Sequence, residues 1–245
     1  MDSDLLLLSA LIIAVCSVVQ SIFGTGLLVY GTPSLLLLGF SFAEALLLVL
    51  PASLVISVLQ THHGWSHIHD FRRSFLYFSA PPLIGGLLVA LALEGRFDLK
   101  FPIGVMLLLS GIIRFSPFLV EEAKLLLRKH SRIYLVCMGA VHGLTNMGGA
   151  LLTIYVNGLH HDKEEVRAHI AFAYAIFIIL QLLVLFATGA SLHLLLPALG
   201  YFPVLAFVVY HIIGHRLFQS TSNEVFYLIM SLLMLSFGVL LLFFA

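Results

Sequence analysis

Ser21-Ile22-Phe23-Gly24-Thr25-Gly26-Leu27-Leu28 and Gly143-Leu144-Thr145-Asn146-Met147-Gly148-Gly149-Ala150-Leu151-Leu152 decide how this chain is to be read. Each is a small glycine-rich break inside a long apolar run, and Gly24 and Gly148 stand 124 residues apart. A glycine break in an apolar helix frees backbone N–H and C=O groups at a depth where water cannot satisfy them. That is tolerated only where the backbone lines a site or cavity. An interruption of this kind used twice points to a transporter.

Composition agrees. Of 245 residues, 61% are hydrophobic and 10% charged, and mean hydropathy is +1.10, so most of the chain is built to face lipid or other apolar helices. A soluble globular protein is excluded. Formal net charge is zero, which leaves no basic or acidic field to attract a nucleic acid. Met1-Asp2-Ser3-Asp4 lacks the basic region of a signal peptide and runs straight into apolar sequence, which reads as an uncleaved first helix in a cell membrane. Cys16 and Cys137 lie inside apolar helices and read as small buried hydrophobes.

A spanning helix needs about 20 apolar residues. Six stretches qualify, at about 42 to 60, 73 to 93, 100 to 117, 165 to 187, 192 to 213 and 224 to 244. The two glycine-broken stretches, about 5 to 39 and 133 to 159, differ: each is too long for one span while its pieces are short. Each half then reads as a broken pair, a polar step with an acidic residue entering the next helix (Ser41-Phe42-Ala43-Glu44 and Asp162-Lys163-Glu164-Glu165), and three spans. Gly26-Leu27-Leu28-Val29-Tyr30 matches Ala150-Leu151-Leu152-Thr153-Ile154-Tyr155 in texture. The expected fold is therefore an all-α integral membrane protein of two inverted four-segment repeats, each a glycine-broken re-entrant helix pair followed by three transmembrane helices. The repeats take residues 1–117 and 133–245, joined by a charged linker at 118–132 that reads as a short interfacial helix.

The positive-inside rule orients this arrangement. If each broken pair is a hairpin that enters and leaves on one side, Arg72, Arg73, Arg114, Lys124, Arg128, Lys129, Arg132, Lys163, Arg167 and Arg216 share a face, with Arg96 and Lys100 opposite. Ten against two is a decisive bias. If each pair crossed once, the division would be seven against five, so the hairpin is preferred, with both termini outside the cytoplasm.

With these motifs in place, the chain resembles the sulfite exporter TauE/SafE family of anion permeases over essentially its whole length. The resemblance rests on the two quoted breaks, the Leu-rich half-helices after them, the helix carrying Leu50-Pro51-Ala52-Ser53, and the repeat of this order after a central basic loop. Against the family's usual Gly-x-Gly-Gly-Gly, Thr25 stands at the middle glycine of the first copy, and Asn146 and Ala150 at the outer glycines of the second. The resemblance implies transport of a small anion of the sulfite, sulfonate, thiosulfate or carboxylate class, coupled to H⁺ or Na⁺. No cofactor is expected.

The residues give the same sign of charge independently. A helix that begins inside the membrane points N–H groups and the positive end of its dipole into the cavity, which favours an anion without a buried Lys or Arg. The half-helices starting near Thr25 and Gly149 are the expected binding elements, built on Gly24, Gly26, Gly148 and Gly149. Gln20, Ser21, Thr25, Thr145 and Asn146 are candidate neutral donors. Ser53 and Ser57, four apart, share a helix face toward the first break, although serines also bond back to their own helix. His142, one turn before Asn146, is the candidate for proton coupling. Glu44 and Glu165 read as helix N-terminal caps, and His211 with His215 as the polar edge of a span.

Two other classes compete. His62, His63, His67 and His69 with Asp70, and less strongly His160-His161-Asp162, would suit a divalent-metal permease, though the spacing matches no closed zinc pattern and no cysteine partners them. An intramembrane enzyme would have Ser53 and His142 as its only pairing, without a supporting motif. No Walker motif is present, so ATP would have to be used by a separate subunit. Oligomeric state, a homo-oligomer included, stays open.

Overall fold

A computed structural model describes residues 3–65, 68, 71–96, 99–159, 162–189 and 192–243. Every regular element among them is helical. In chain order they are α1 (Ser3–Phe23), a π-helical turn (Leu27–Gly31) running into α2 (Thr32–Leu37), α3 (Phe42–His63), α4 (Phe71–Leu93), α5 (Lys100–Phe115), α6 (Pro117–Thr145) and α7 (Gly148–Leu159). Then come α8 (Lys163–Thr188), a 3₁₀ turn (Leu192–Leu194), a π turn (Pro197–Tyr201), α9 (Phe202–Val209), a second π turn (Tyr210–Gly214), α10 (His215–Ser220) and α11 (Asn223–Phe243).

Polarity is reversed relative to a water-soluble protein. Leu7, Leu11, Tyr77, Phe101, Leu183 and Val204 are exposed, while Gln20, Ser53, Ser57, His142, Asn146 and Gln181 are wholly buried. An apolar outer wall of this extent is at home in lipid, not in water. Five stretches of the described residues are long and apolar enough to cross a membrane: Ser3–Phe23, Phe42–His63, Arg72–Leu93, Lys163–Thr188 and Pro197–Ser220. The protein is a multi-pass membrane protein. The expected spans need three corrections. The span expected at 224–244 falls within α11, whose apolar stretch among the described residues is the shorter Ser231–Phe243. α1 is a full 21-residue helix, so the first interruption comes at the end of a spanning-length helix rather than partway along one. The expected span at 100–117 stops at Phe115, because Ser116 adopts an extended conformation ahead of Pro117, leaving 16 helical residues.

α3 and α8 form the centre and are the most deeply buried of the long apolar helices, while α1 and α4 lie largely at the outer surface. α3 and α8 pack on each other; α4 lies along α6, α5 against α11, and α1 against α9 and the π turn at Tyr210–Gly214. Small residues set the approach. A Cβ on Gly143 would strike the Leu83 carbonyl, and one on Gly111 would lie 2.6 Å from Leu235, so these helices pack nearly backbone to backbone. The charged segment at 118–132 is helical as expected but belongs to α6, which bends at His130 (φ −133°, ψ 38°) before continuing to the second break.

The two breaks share a local geometry, in a register that corrects the 124-residue correspondence. α1 ends at Phe23 and Gly24 turns left-handed (φ 73°), its N–H donating to Gln20 O at 2.8 Å. α6 ends at Thr145 and Asn146 turns left-handed (φ 61°), its N–H donating to His142 O at 2.8 Å. Gly24 therefore corresponds to Asn146, 122 residues on, and Gly26 to Gly148. A Cβ on Gly26 would press on Cys16 O and Gln20 Cβ, and one on Gly148 on Met138 O and His142 Cβ, the same positions in the preceding helix. Asn, with Gly, is the residue type that most readily occupies such a left-handed helix terminus. Further on, the N-caps Ser41 and Asp162 are 121 apart. The first half thus holds one residue more between break and next helix, absorbed where Leu27–Gly31 winds as a π turn.

Candidate functional site

A helix ending inside a membrane must find partners for its last carbonyls, and a helix beginning there for its first N–H groups. At the first break one side chain serves both helix and neighbour. Gln20 Oε1 accepts from the Leu27 N–H (3.2 Å) and from Ser53 Oγ (2.9 Å), while its Nε2 donates to Ser53 O and Ser57 Oγ, both at 3.1 Å. The carbonyls that end α1 are met from two directions. Gln60 Nε2 donates to Gln20 O (2.9 Å) and Ser21 O (3.0 Å), and Arg167 Nη1 reaches Ser21 O at 3.3 Å. Ser21 Oγ is turned back to Ser17 O. Leaving such groups bare would cost about 1–3 kcal/mol each, so this network is what allows the interruption to exist in the interior.

At the second break Asn146 is the junction. Its Nδ2 donates to Thr32 Oγ1 at 2.8 Å and its Oδ1 accepts from Gln181 Nε2 at 3.1 Å, so the second interruption is tied to the half-helix that follows the first. Thr145 Oγ1 donates to Val141 O and accepts from the Met147 N–H. Beyond it α7 begins at Gly148, and the Tyr174 hydroxyl lies directly over this start, where a Cβ on Gly149 would coincide with it. The ring of His142 stacks on Phe177 with centroids 4.2 Å apart, and Gln181 is its polar neighbour.

Around this point Tyr174 Oη has no hydrogen-bond partner and the His142 ring has only the Gln181 side chain to bond to, while at the first break Thr25 Oγ1 is likewise unpaired. Buried polar groups are normally paired, and a cluster of unpaired ones is where a polar occupant would be held. The two breaks are not level. The first faces Arg167 and Ile170 of α8, the second Tyr174, Phe177 and Gln181. Nine residues separate the centres of these sets, about 14 Å along a helix.

The residues singled out in the sequence for substrate binding and proton coupling lie at these two junctions. Gln20, Ser53 and Ser57 form one cluster at the first break with Ser21, Gly24 and Gly26; Thr145, Asn146, Gly148, Gly149 and His142 gather at the second; Thr25 is wholly buried with its hydroxyl unpaired. The hydrogen-bonding groups of Gln20, Ser21, Ser53, Thr145 and Asn146 are engaged with the protein itself. Thr32, Gln60, Arg167, Tyr174 and Gln181 escaped the sequence reading. Gln60 and Gln181 carried a signal, as polar residues in corresponding apolar helices 121 apart. Arg167 lies one turn inside α8 and counted only as part of its basic edge. Tyr174 gave none.

Glu44 completes a reciprocal cap with Ser41, and Asp162 caps α8 by accepting from Glu164 and Glu165 N–H. Of the histidine-rich loop, His62 and His63 end α3, their rings 6.1 Å apart, while His67, His69 and Asp70 lie outside the described residues, as do His160 and His161. No group of three metal-ligating side chains gathers among the described residues.

The family model of the sulfite exporter TauE/SafE matches residues 9–241, nearly the whole chain. No curated protein and no solved structure matches it. The lipid-facing outer wall, the interior polar junctions and this match lead to one conclusion: the chain belongs to the sulfite exporter TauE/SafE family, as a multi-pass membrane transporter and not an enzyme.

Proposed function

We propose that the protein is a secondary transporter of small organosulfur or related organic anions, with one anion bound at the second break, where α7 begins. The observation that carries this is the set of unpaired buried groups at the start of α7. The Tyr174 hydroxyl, with no partner of its own, and the His142 ring beside it offer neutral donors, and the α7 N-terminus adds backbone N–H groups and the positive end of a 12-residue helix. Sulfite, thiosulfate, a sulfonate or a carboxylate offers two or three acceptor oxygens to such a shell without a buried cation. Gln20, Ser53, Ser57, Thr145 and Asn146 act one layer out, holding the breaks open.

The two halves are inverted repeats that move about this point. Their packing is paired in support: α4 lies along α6 of the other half, as α9 and α10 lie along α1, and α3 with α8 and α5 with α11 join like to like. Rocking of one half against the other carries the anion across. If the coupling ion is H⁺, His142 is the group that takes it. Counterflow in proteoliposomes, tested with sulfite, thiosulfate, a sulfonate, short carboxylates and divalent metals under a pH jump or Na⁺ gradient, should show trans-accelerated uptake of one anion class. Uptake of divalent metals alone, or of nothing, would refute the assignment.

A further inference from the structure

Above the first break, on the face carrying Lys163 and Arg216, the structure holds a cavity of about 220 Å³. The end of α3 supplies Gln60, His63 and Gly64, the start of α8 Glu164, Arg167 and Ala168, and the end of α10 Phe218 and Gln219. Its floor is the ceiling of the break, because Gln60 and Arg167 are the groups that donate to the last carbonyls of α1.

Arg167 is the unusual member. It is 7% exposed, and its guanidinium lies 3.3 Å from the centre of the Phe218 ring, which holds it flat. The Ser21 carbonyl that it reaches already accepts from Gln60 at 3.0 Å, the shorter of the two bonds. A positive charge so enclosed costs several kcal/mol, and a neutral carbonyl already satisfied by an amide does not offset that. The Tyr210 phenol and, after it, Glu164 interact with it electrostatically; Glu164 stands exposed on the rim, where Lys163, donating to Phe218 O and Thr221 O, adds a second cation.

We infer that this cavity is a second anion site, separate from the one at the start of α7, in which the Arg167 guanidinium binds a small oxyanion on its way to or from the first break. Its planar fork suits two oxygens of one anion, and Gln60, whose Oε1 is unpaired, keeps the α1 carbonyls satisfied when Arg167 turns from Ser21 O to the ligand. The inference rests on the anion-transport reading, and its test separates the two.

Equilibrium dialysis of the purified protein with radiolabelled sulfite should find two sulfites per chain in the wild type. Arg167→Gln should bind one, and Arg167→Lys two, the weaker with its affinity reduced about tenfold, since the charge remains but the fork is lost. Tyr174→Phe should weaken the other site and leave the Arg167 site intact. One sulfite per chain in the wild type, or unchanged stoichiometry in Arg167→Gln, overturns the inference while leaving the transporter assignment standing. No sulfite bound by wild type that also fails counterflow overturns both. Where Arg167→Gln does not fold, Arg167→Lys decides: affinity equal to wild type at both sites counts against the inference.

Discussion

Gly148→Leu abolishes anion counterflow, with at least a hundredfold loss of initial rate, while the protein still inserts and elutes as a single species in detergent. The Cβ alone would strike His142 Cβ and approach Met138 O at 2.9 Å and His142 Cα at 3.0 Å. Two of these are backbone atoms of α6 that cannot step aside, so the start of α7 must move. Overpacking of this kind costs about 1–3 kcal/mol, which a bundle with many other contacts survives, but an anion shell depends on donors placed to within a fraction of an ångström. Gly26→Leu should behave alike, since its Cβ would press on Cys16 O and Gln20. Gly200→Leu is the control, because only Leu196 at 3.8 Å comes near a Cβ there. Counterflow assays on reconstituted protein, with surface-labelled insertion checks, measure all three.

Tyr174→Phe gives the second large effect, with the opposite stability signature. The change removes one oxygen that has no partner inside the protein, so the apo transporter should lose no thermal stability. Removing an unsatisfied buried hydroxyl is neutral or stabilising by up to about 1 kcal/mol. Transport should suffer, because a hydrogen bond to a charged ligand is worth about 1.5–3 kcal/mol, or roughly ten- to 150-fold in apparent affinity. Loss of affinity together with an undiminished melting temperature marks a group held for the ligand. Falling stability with unchanged affinity would mark Tyr174 as packing around α7.

The elements that carry this site were visible in the sequence to different depths. Both breaks could be found because glycine in an apolar run is conspicuous, and Asn146 because a polar amide there is costly. Their register could not. Gly24 and Gly148 look alike as letters, yet the left-handed turn pairs Gly24 with Asn146, and the π turn at Leu27–Gly31 that absorbs the extra residue has no compositional mark. Pairing across the chain was equally hidden. Nothing local joins Asn146 to Thr32, which are 114 residues apart, or Arg167 to Ser21, 146 apart; these contacts follow from α8 passing both breaks. Gln20 shows the remaining gap. Its residue type marked it as a donor available to substrate, whereas its place one turn before Gly24 makes it the cap of the following half-helix.

The hydrogen bond between Asn146 and Thr32 also ties the second break to the half-helix that follows the first. Asn146 in turn accepts from Gln181 on α8, the polar neighbour of His142.

A cryo-EM map of the protein saturated with sulfite locates the anion relative to the start of α7. Density for one anion is expected beside Gly148 and Gly149, with oxygens within hydrogen-bonding distance of the Tyr174 hydroxyl. Sulfite density confined to the Arg167 cavity or the outer surface, with the start of α7 empty at saturation, would contradict this placement.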